Sequence, residues 1–154
     1  MGFTGMRRQE AAAITRNRLS PLPAQAGVAD ALWEIAVLGK QRKWRLGFIP
    51  NRVIEALRAH WEDRDHDFDA KNDEKALLSP VVVPVTEAAR SKHLGLENGV
   101  VVLTGNGFSA DGLYQVVTSS LLRIASDERL PLDERDRRLL REAAPHALPH
   151  AFAI

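Results

Sequence analysis

Arg7 with Glu10, the run Gly39-Lys40-Gln41-Arg42-Lys43-Trp44-Arg45, and the pair His146 and His150 are the places in this 154-residue chain where residue type and spacing suggest chemistry. A guanidinium offers a planar fork of donors that matches phosphate or carboxylate oxygens, whereas a lysine ammonium is a compact charge on a flexible stem. Histidine titrates near neutrality and suits proton transfer. Each group also has a plainer reading. Arg7 and Glu10 at i, i+3 suit a helix-surface pair worth about 0.2–0.5 kcal/mol. The hairpin cations suit a solvated turn that discourages edge pairing. His146 and His150 at i, i+4 would share a metal only on one helix face, and Pro149 between them and the lack of a third ligand argue against it. His60 and His66 form no better constellation.

The cations are not spread evenly. Residues 1–58 hold ten Lys and Arg against four Asp and Glu, and residues 59–154 hold eleven against sixteen, so a net charge of +1 conceals halves of +6 and −5. That asymmetry suggests a polyanion-facing side, with the acidic half turned away. Disorder is not the expectation at 45% hydrophobic and 27% charged residues. Cysteine is absent, which excludes disulfides and thiolate metal sites and fits a reducing compartment. No apolar run reaches the length of a bilayer span, and the first residues lack the apolar stretch and small-residue cleavage site of a secretory signal. A cytoplasmic protein without a membrane partner is expected.

The elements that must position these groups follow from the pattern. Good helix formers over 7–16 predict a short N-terminal helix, with Pro21 and Pro23 forcing an exit. Segments 31–38 and 44–49 are β-prone and flank the basic stretch, which predicts a hairpin with a charged tip. Pro50-Asn51 opens a helix, with Asn51 as its cap and Val53, Ile54, Leu57 and Trp61 on one face. Residues 62–75 carry seven acids and no periodicity, and read as a solvated loop. Pro80 and Pro84 make the valine run between them an edge or a non-strand. Val100 to Leu103 is an extended candidate ended by the turn cluster Gly105-Asn106-Gly107. Ser109 then caps a helix with Leu113, Val116, Val117, Leu121 and Ile124 as its stripe, and Asp133 with Asp136 starts another carrying Leu139, Leu140 and Ala143. Trp33, Trp44 and Trp61 read as core or hairpin packing.

Three of these groups stand in an order that resembles a known family. Thr4-Gly5-Met6-Arg7-Arg8-Gln9-Glu10 is similar to the T-G-[LM]-R-x-x-E box of the tyrosine recombinases, or phage integrases. Gly39-Lys40-Gln41-Arg42-Lys43-Trp44-Arg45 resembles their G-K-G-x-K-x-R hairpin, and His146-Ala147-Leu148-Pro149-His150-Ala151-Phe152 their H-x-L-R-H-T-F box. The resemblance covers nearly the whole chain. It implies that Arg7 clamps a scissile DNA phosphate, that Lys40 or Lys43 protonates the leaving oxygen, with Lys40 favoured by its place after Gly39, and that His146 assists proton transfer. Arg42, Lys43 and Arg45 would contact DNA.

The pattern is also broken. Gln41 stands where the family has a glycine. Pro149 replaces the second arginine, a loss that for a preorganised donor costs about 10²–10³ in rate. The tyrosine nucleophile should follow the last box, and Tyr114, the only tyrosine, reads as a packing residue. The resemblance therefore implies an α+β, mostly helical domain with a small antiparallel sheet, running from the first-arginine box to the H-x-x-R box without the arm domain or the tyrosine helix. The expected function is an integrase-like protein of site-specific DNA recombination that does not cleave DNA by itself. Double-stranded DNA is the expected partner, no cofactor or metal is implied, and apolar surface left exposed would favour self-association. Two alternatives stand beside this: a non-catalytic DNA-binding or regulatory module using residues 39–45, and an unrelated soluble protein-binding domain.

Overall fold

The computed structural model describes residues 5–23, 31–70 and 73–143. Helix α1 (Arg8–Ala13) opens with the backbone N–H of Arg7 donating to Glu10 Oε2 at 2.7 Å, which satisfies an N–H that the first turn leaves without a helical acceptor. It stops three residues short of the expected end. Ile14 is extended, Thr15 bridges Ala76, and the backbone N–H groups of Arg16 and Leu77 bond to Lys75 O and Ile14 O. Pairing with a distant segment has overridden a good helical run.

A three-stranded antiparallel sheet follows, in the order β1 (Leu19–Pro21), β2 (Leu32–Leu38), β3 (Trp44–Pro50). Its register sets Leu38 opposite Trp44, Val37 opposite Arg45 and Ile35 opposite Gly47. Alternation then sends Trp33, Ile35, Val37 and Ile49 to the inner face, where all are buried. Helix α2 (Asn51–Glu62) covers that face with Ile54, Leu57 and Trp61. Its cap position is Pro50, not Asn51, whose side chain instead donates to Glu55 Oε1 at 2.9 Å from within the first turn.

The acidic stretch after α2 is more than a solvated loop. Phe68 leaves the run of aspartates to join the core, edge-on to Trp61 at 5.7 Å, and the Trp61 indole N–H donates to Leu77 O at 3.1 Å. Arg64 is buried and donates through Nε to Ser79 O at 2.8 Å and through Nη1 to His60 O. A lone aromatic among acids leaves no periodicity to detect.

Residues 80–85 form no strand. Helix α3 (Glu87–His93), capped by the Thr86 hydroxyl, leads into a two-stranded antiparallel ribbon of β4 (Leu94–Glu97) and β5 (Val100–Leu103). Asn98 and Gly99 turn it with φ of 50° and 79°, the paired positive values of a hairpin turn whose twist matches its strands. Gly105 adopts φ 76° in the turn cluster beyond β5. Helix α4 (Ala110–Ser126) starts where the Ser109 hydroxyl accepts from Gly112 N, and α5 (Glu134–Glu142) where Asp133 accepts from Asp136 N. Leu113 carries α4 into the core, but Val116, Ile124 and Leu139 of the expected stripes stay exposed. The architecture is α+β, with five α-helices, one three-stranded sheet and one two-stranded ribbon among the described residues.

Candidate phosphate-binding cleft

A cleft of about 610 Å³ opens between α1 and the tip of the β2–β3 hairpin. Arg7, Arg18 and Lys40 supply its positive charge, Glu10 its one acid, and Ile14, Ala36, Leu38 and Trp44 its apolar wall. The first and second sequence groups thus meet at one place, although Arg7 and Lys40 are far apart in the chain.

Glu10 is the joint. Its side chain is almost wholly buried, with Arg7 Nη1 3.3 Å from Oε1 and Arg45 Nη2 2.5 Å from Oε2. Arg45 also reaches Gly5 O at 3.4 Å, so the hairpin is bound to the loop before α1 as well as to α1 itself. Burial alone would raise the Glu10 carboxyl, but the Arg7 backbone N–H and the two guanidiniums outweigh it and hold the group below its ordinary value of 4.5. A buried anion shared by two arginines fixes both; Arg7 nevertheless keeps most of its side chain in solvent, open to a second anion.

At the hairpin tip, Lys40 begins a 3-10 turn (Lys40–Arg42) and lines the cleft. Gln41 and Arg42 have φ of 61° and 58°, so Gln41 adopts the left-handed conformation for which a glycine is best suited. Arg42 and Lys43 are exposed and do not line the cleft. Arg45, expected to contact DNA, lies on the opposite side of β3 from Trp44, and its visible partners are Glu10 and Gly5.

Sequence reasoning missed Arg18. Its guanidinium sits 4.7 Å from the centre of the Trp44 ring, and nothing in the sequence distinguishes it from other basic residues. Trp44 is half exposed rather than buried, unlike Trp33 and Trp61. His146, Pro149 and His150 lie outside the described residues. Tyr114 on α4 lies under Arg8, 5.3 Å from the guanidinium to the ring centre, and does not line the cleft.

His60 and His93 have structural partners, whereas His66 Nε2 is buried without a hydrogen-bond partner among the described residues. His60 Nε2 accepts from Ser79 N at 3.2 Å, and burial first, then the neighbouring Arg64 charge, bring its pKa down to about 4. His93 Nδ1 lies 3.1 Å from Asn106 O, and burial followed by Lys92 lowers its pKa. Among the described residues no group of three His, Asp or Glu side chains converges as a metal site, and no helix is long and apolar enough to cross a membrane. Comparison with protein-family models, curated proteins and solved structures gives no match to this chain.

Proposed function

We propose that this cleft binds a DNA phosphodiester and that the chain is an integrase-like protein of site-specific DNA recombination, with these 154 residues unable by themselves to cut DNA. The observation that carries the reading is the convergence of Arg7 and Lys40 on one cleft, with Glu10 holding Arg7 to the hairpin through Arg45. A guanidinium fork beside a mobile ammonium is a donor set suited to phosphate oxygens. Support also comes from the order of the sequence boxes and from the positive charge of the half that builds the cleft.

The test is duplex DNA binding across a salt series. Affinity should fall steeply with salt, and Arg7→Ala and Lys40→Ala should each reduce the slope of log K against log salt by about one. Salt-independent binding, or none, sinks the reading. Arg42 and Lys43 separate it from a non-catalytic hairpin-binding module. If Arg42→Ala with Lys43→Ala abolishes binding while Arg7→Ala and Lys40→Ala leave it intact, the exposed tip, not the cleft, is the DNA contact. For the absence of cleavage, a nicked suicide substrate should yield no covalent adduct, since the one tyrosine is packed against Arg8. A trapped adduct overturns that part of the proposal.

A further inference from the structure

The chain has three tryptophans, and two of them are core: Trp33 is 8% exposed and Trp61 1%, against 54% for Trp44. Trp44 is not alone on its side of the sheet. Strand β3 alternates, and Trp44, Leu46 and Phe48 all point away from the core, with more than half of each side chain's residue in solvent. Their partners on β2 are Leu38, Ala36 and Glu34. Among the described residues strand β3 pairs on one side only, so this apolar row runs along an edge strand.

Cations gather at one end of the row. Arg42 and Lys43 immediately precede Trp44, Lys40 lines the cleft whose wall Trp44 forms, and Arg18 covers part of the indole at 4.7 Å. Among the described strand residues on this face the acid is Glu34, which lies opposite Phe48, at the far end from the tip. A partner for such a surface must offer flat apolar faces and carry negative charge toward the hairpin tip. A duplex stacks its base faces away, and an apolar protein surface would leave these cations without counter-charge.

We infer that the outer face of β3 is a stacking platform for single-stranded nucleic acid. Bases lie on Trp44 and Phe48, and the phosphates run past Lys43, Arg42 and the cleft. Trp44 and Phe48 are four residues apart on β3, about 13–14 Å along the strand with Leu46 between them, so an extended single strand would stack on the two rings with unstacked backbone spanning Leu46. Stacking needs only a π face, so the platform takes bases without sequence preference. The inference deepens the DNA-binding reading and rests on it for the phosphate contacts at Arg7 and Lys40.

Because Trp44 is the exposed indole of the three, its fluorescence reports on this surface. Titrating the full chain with oligothymidylate should quench its emission, and the quenching should disappear in Trp44→Leu while emission from the buried pair persists and verifies folding. Trp44→Leu and Phe48→Leu should each weaken binding of a labelled oligothymidylate about tenfold. Duplex affinity, measured in parallel, should fall by a clearly smaller factor, and Trp44→Phe, which keeps a π face, should recover most of the single-strand affinity. Absence of quenching, equal losses for both DNA forms, or a second copy of the chain covering Trp44 in sedimentation and acrylamide-access measurements overturns the inference. The two readings fail separately. Duplex binding without quenching leaves the cleft standing and removes the platform, and quenching by oligothymidylate without duplex binding does the reverse.

Discussion

Ile35, Ile54 and Trp61 in the first half of the chain are 0–1% exposed, whereas Val82, Val85 and Leu96 in the second are 74–91% exposed. Both halves are rich in aliphatic residues, and both have well-started helices. The difference is whether a second element faces each apolar stripe. In the first half the sheet, α2 and the segment around Phe68 close on one another, and among the described residues Leu113 from α4 is the one buried member of that core from beyond Leu77. In the second half, among the described residues, β4 and β5 pair only with each other, and α5 packs mainly on α4 with none of its side chains buried. Amphipathic patterning makes an element; a core also requires a partner surface. The cleft belongs to the closed half, where packing fixes the strands that carry it.

The sharpest way to break this contrast is by truncation on each side. Trp61→Ala should destabilise the protein by about 3–5 kcal/mol in denaturant unfolding, because it opens a cavity and leaves Leu77 O without its indole donor. Leu139→Ala, at an exposed position of α5, should change stability by less than about 0.5 kcal/mol. Similar losses at the two sites would show that the second half is buried after all. Arg137 gives the next largest effect. Its guanidinium donates to the carbonyls of Ala125, Asp127, Leu130 and Leu132 at 2.9–3.2 Å, tying the α4–α5 connection together where apolar packing does not. Arg137→Ala should cost about 1.5–3 kcal/mol, seen as faster hydrogen exchange of amides in 127–142 with those of α2 unchanged. Uniform acceleration along the chain would mean that the halves unfold as one.

The same contrast explains what the sequence made legible. Strands β2 and β3, helix α2, and the starts of α4 and α5 were readable because period, cap and turn residues agree locally. The fate of the α4 and α5 stripes was not, because burial depends on what faces them. The early end of α1 was hidden for the same reason: Thr15 turns toward Ala76, a partner far along the chain. The β4–β5 hairpin was missed: Val100 to Leu103 read as an extended segment, but Leu94 to Glu97 did not stand out as its partner, although Asn98-Gly99 is a strong hairpin signal. At the cleft, Arg7, Glu10 and Lys40 were identifiable by type and spacing. Arg18 was not, because its position over Trp44 is set by the turn after α1.

Within the closed half, two substitutions at the cleft would show how firmly it is held. Glu10 has a lowered folded-state pKa, so its stabilising contribution is present above the ordinary value of 4.5 and is lost as pH falls through the folded value. Glu10→Gln should lower stability at neutral pH by about 1–2 kcal/mol and flatten that acid-side loss, measured as unfolding midpoints against pH. An unchanged pH profile would assign the acid sensitivity elsewhere, with Asp69 and Asp73 next, both lowered despite partial desolvation.

Gln41 should give the smallest effect and the opposite sign. Its φ of 61° places a side chain in the left-handed region, and Gln41→Gly removes that clash while adding backbone freedom to the unfolded chain. The clash is the larger of the two, so the variant should gain about 0.5–1 kcal/mol in denaturant unfolding. The strained residue sits between Lys40, which lines the cleft, and Arg42, which is itself left-handed, and the tip is anchored by Gly39 N bonding to Lys43 O at 2.8 Å. If strain at Gln41 is what aims Lys40, the gain in stability should come with weaker duplex binding at low salt. A gain in stability with unchanged binding would show that the anchoring bond and the Arg45–Glu10 pair hold the tip in place, and that glycine at this position is a matter of backbone comfort alone.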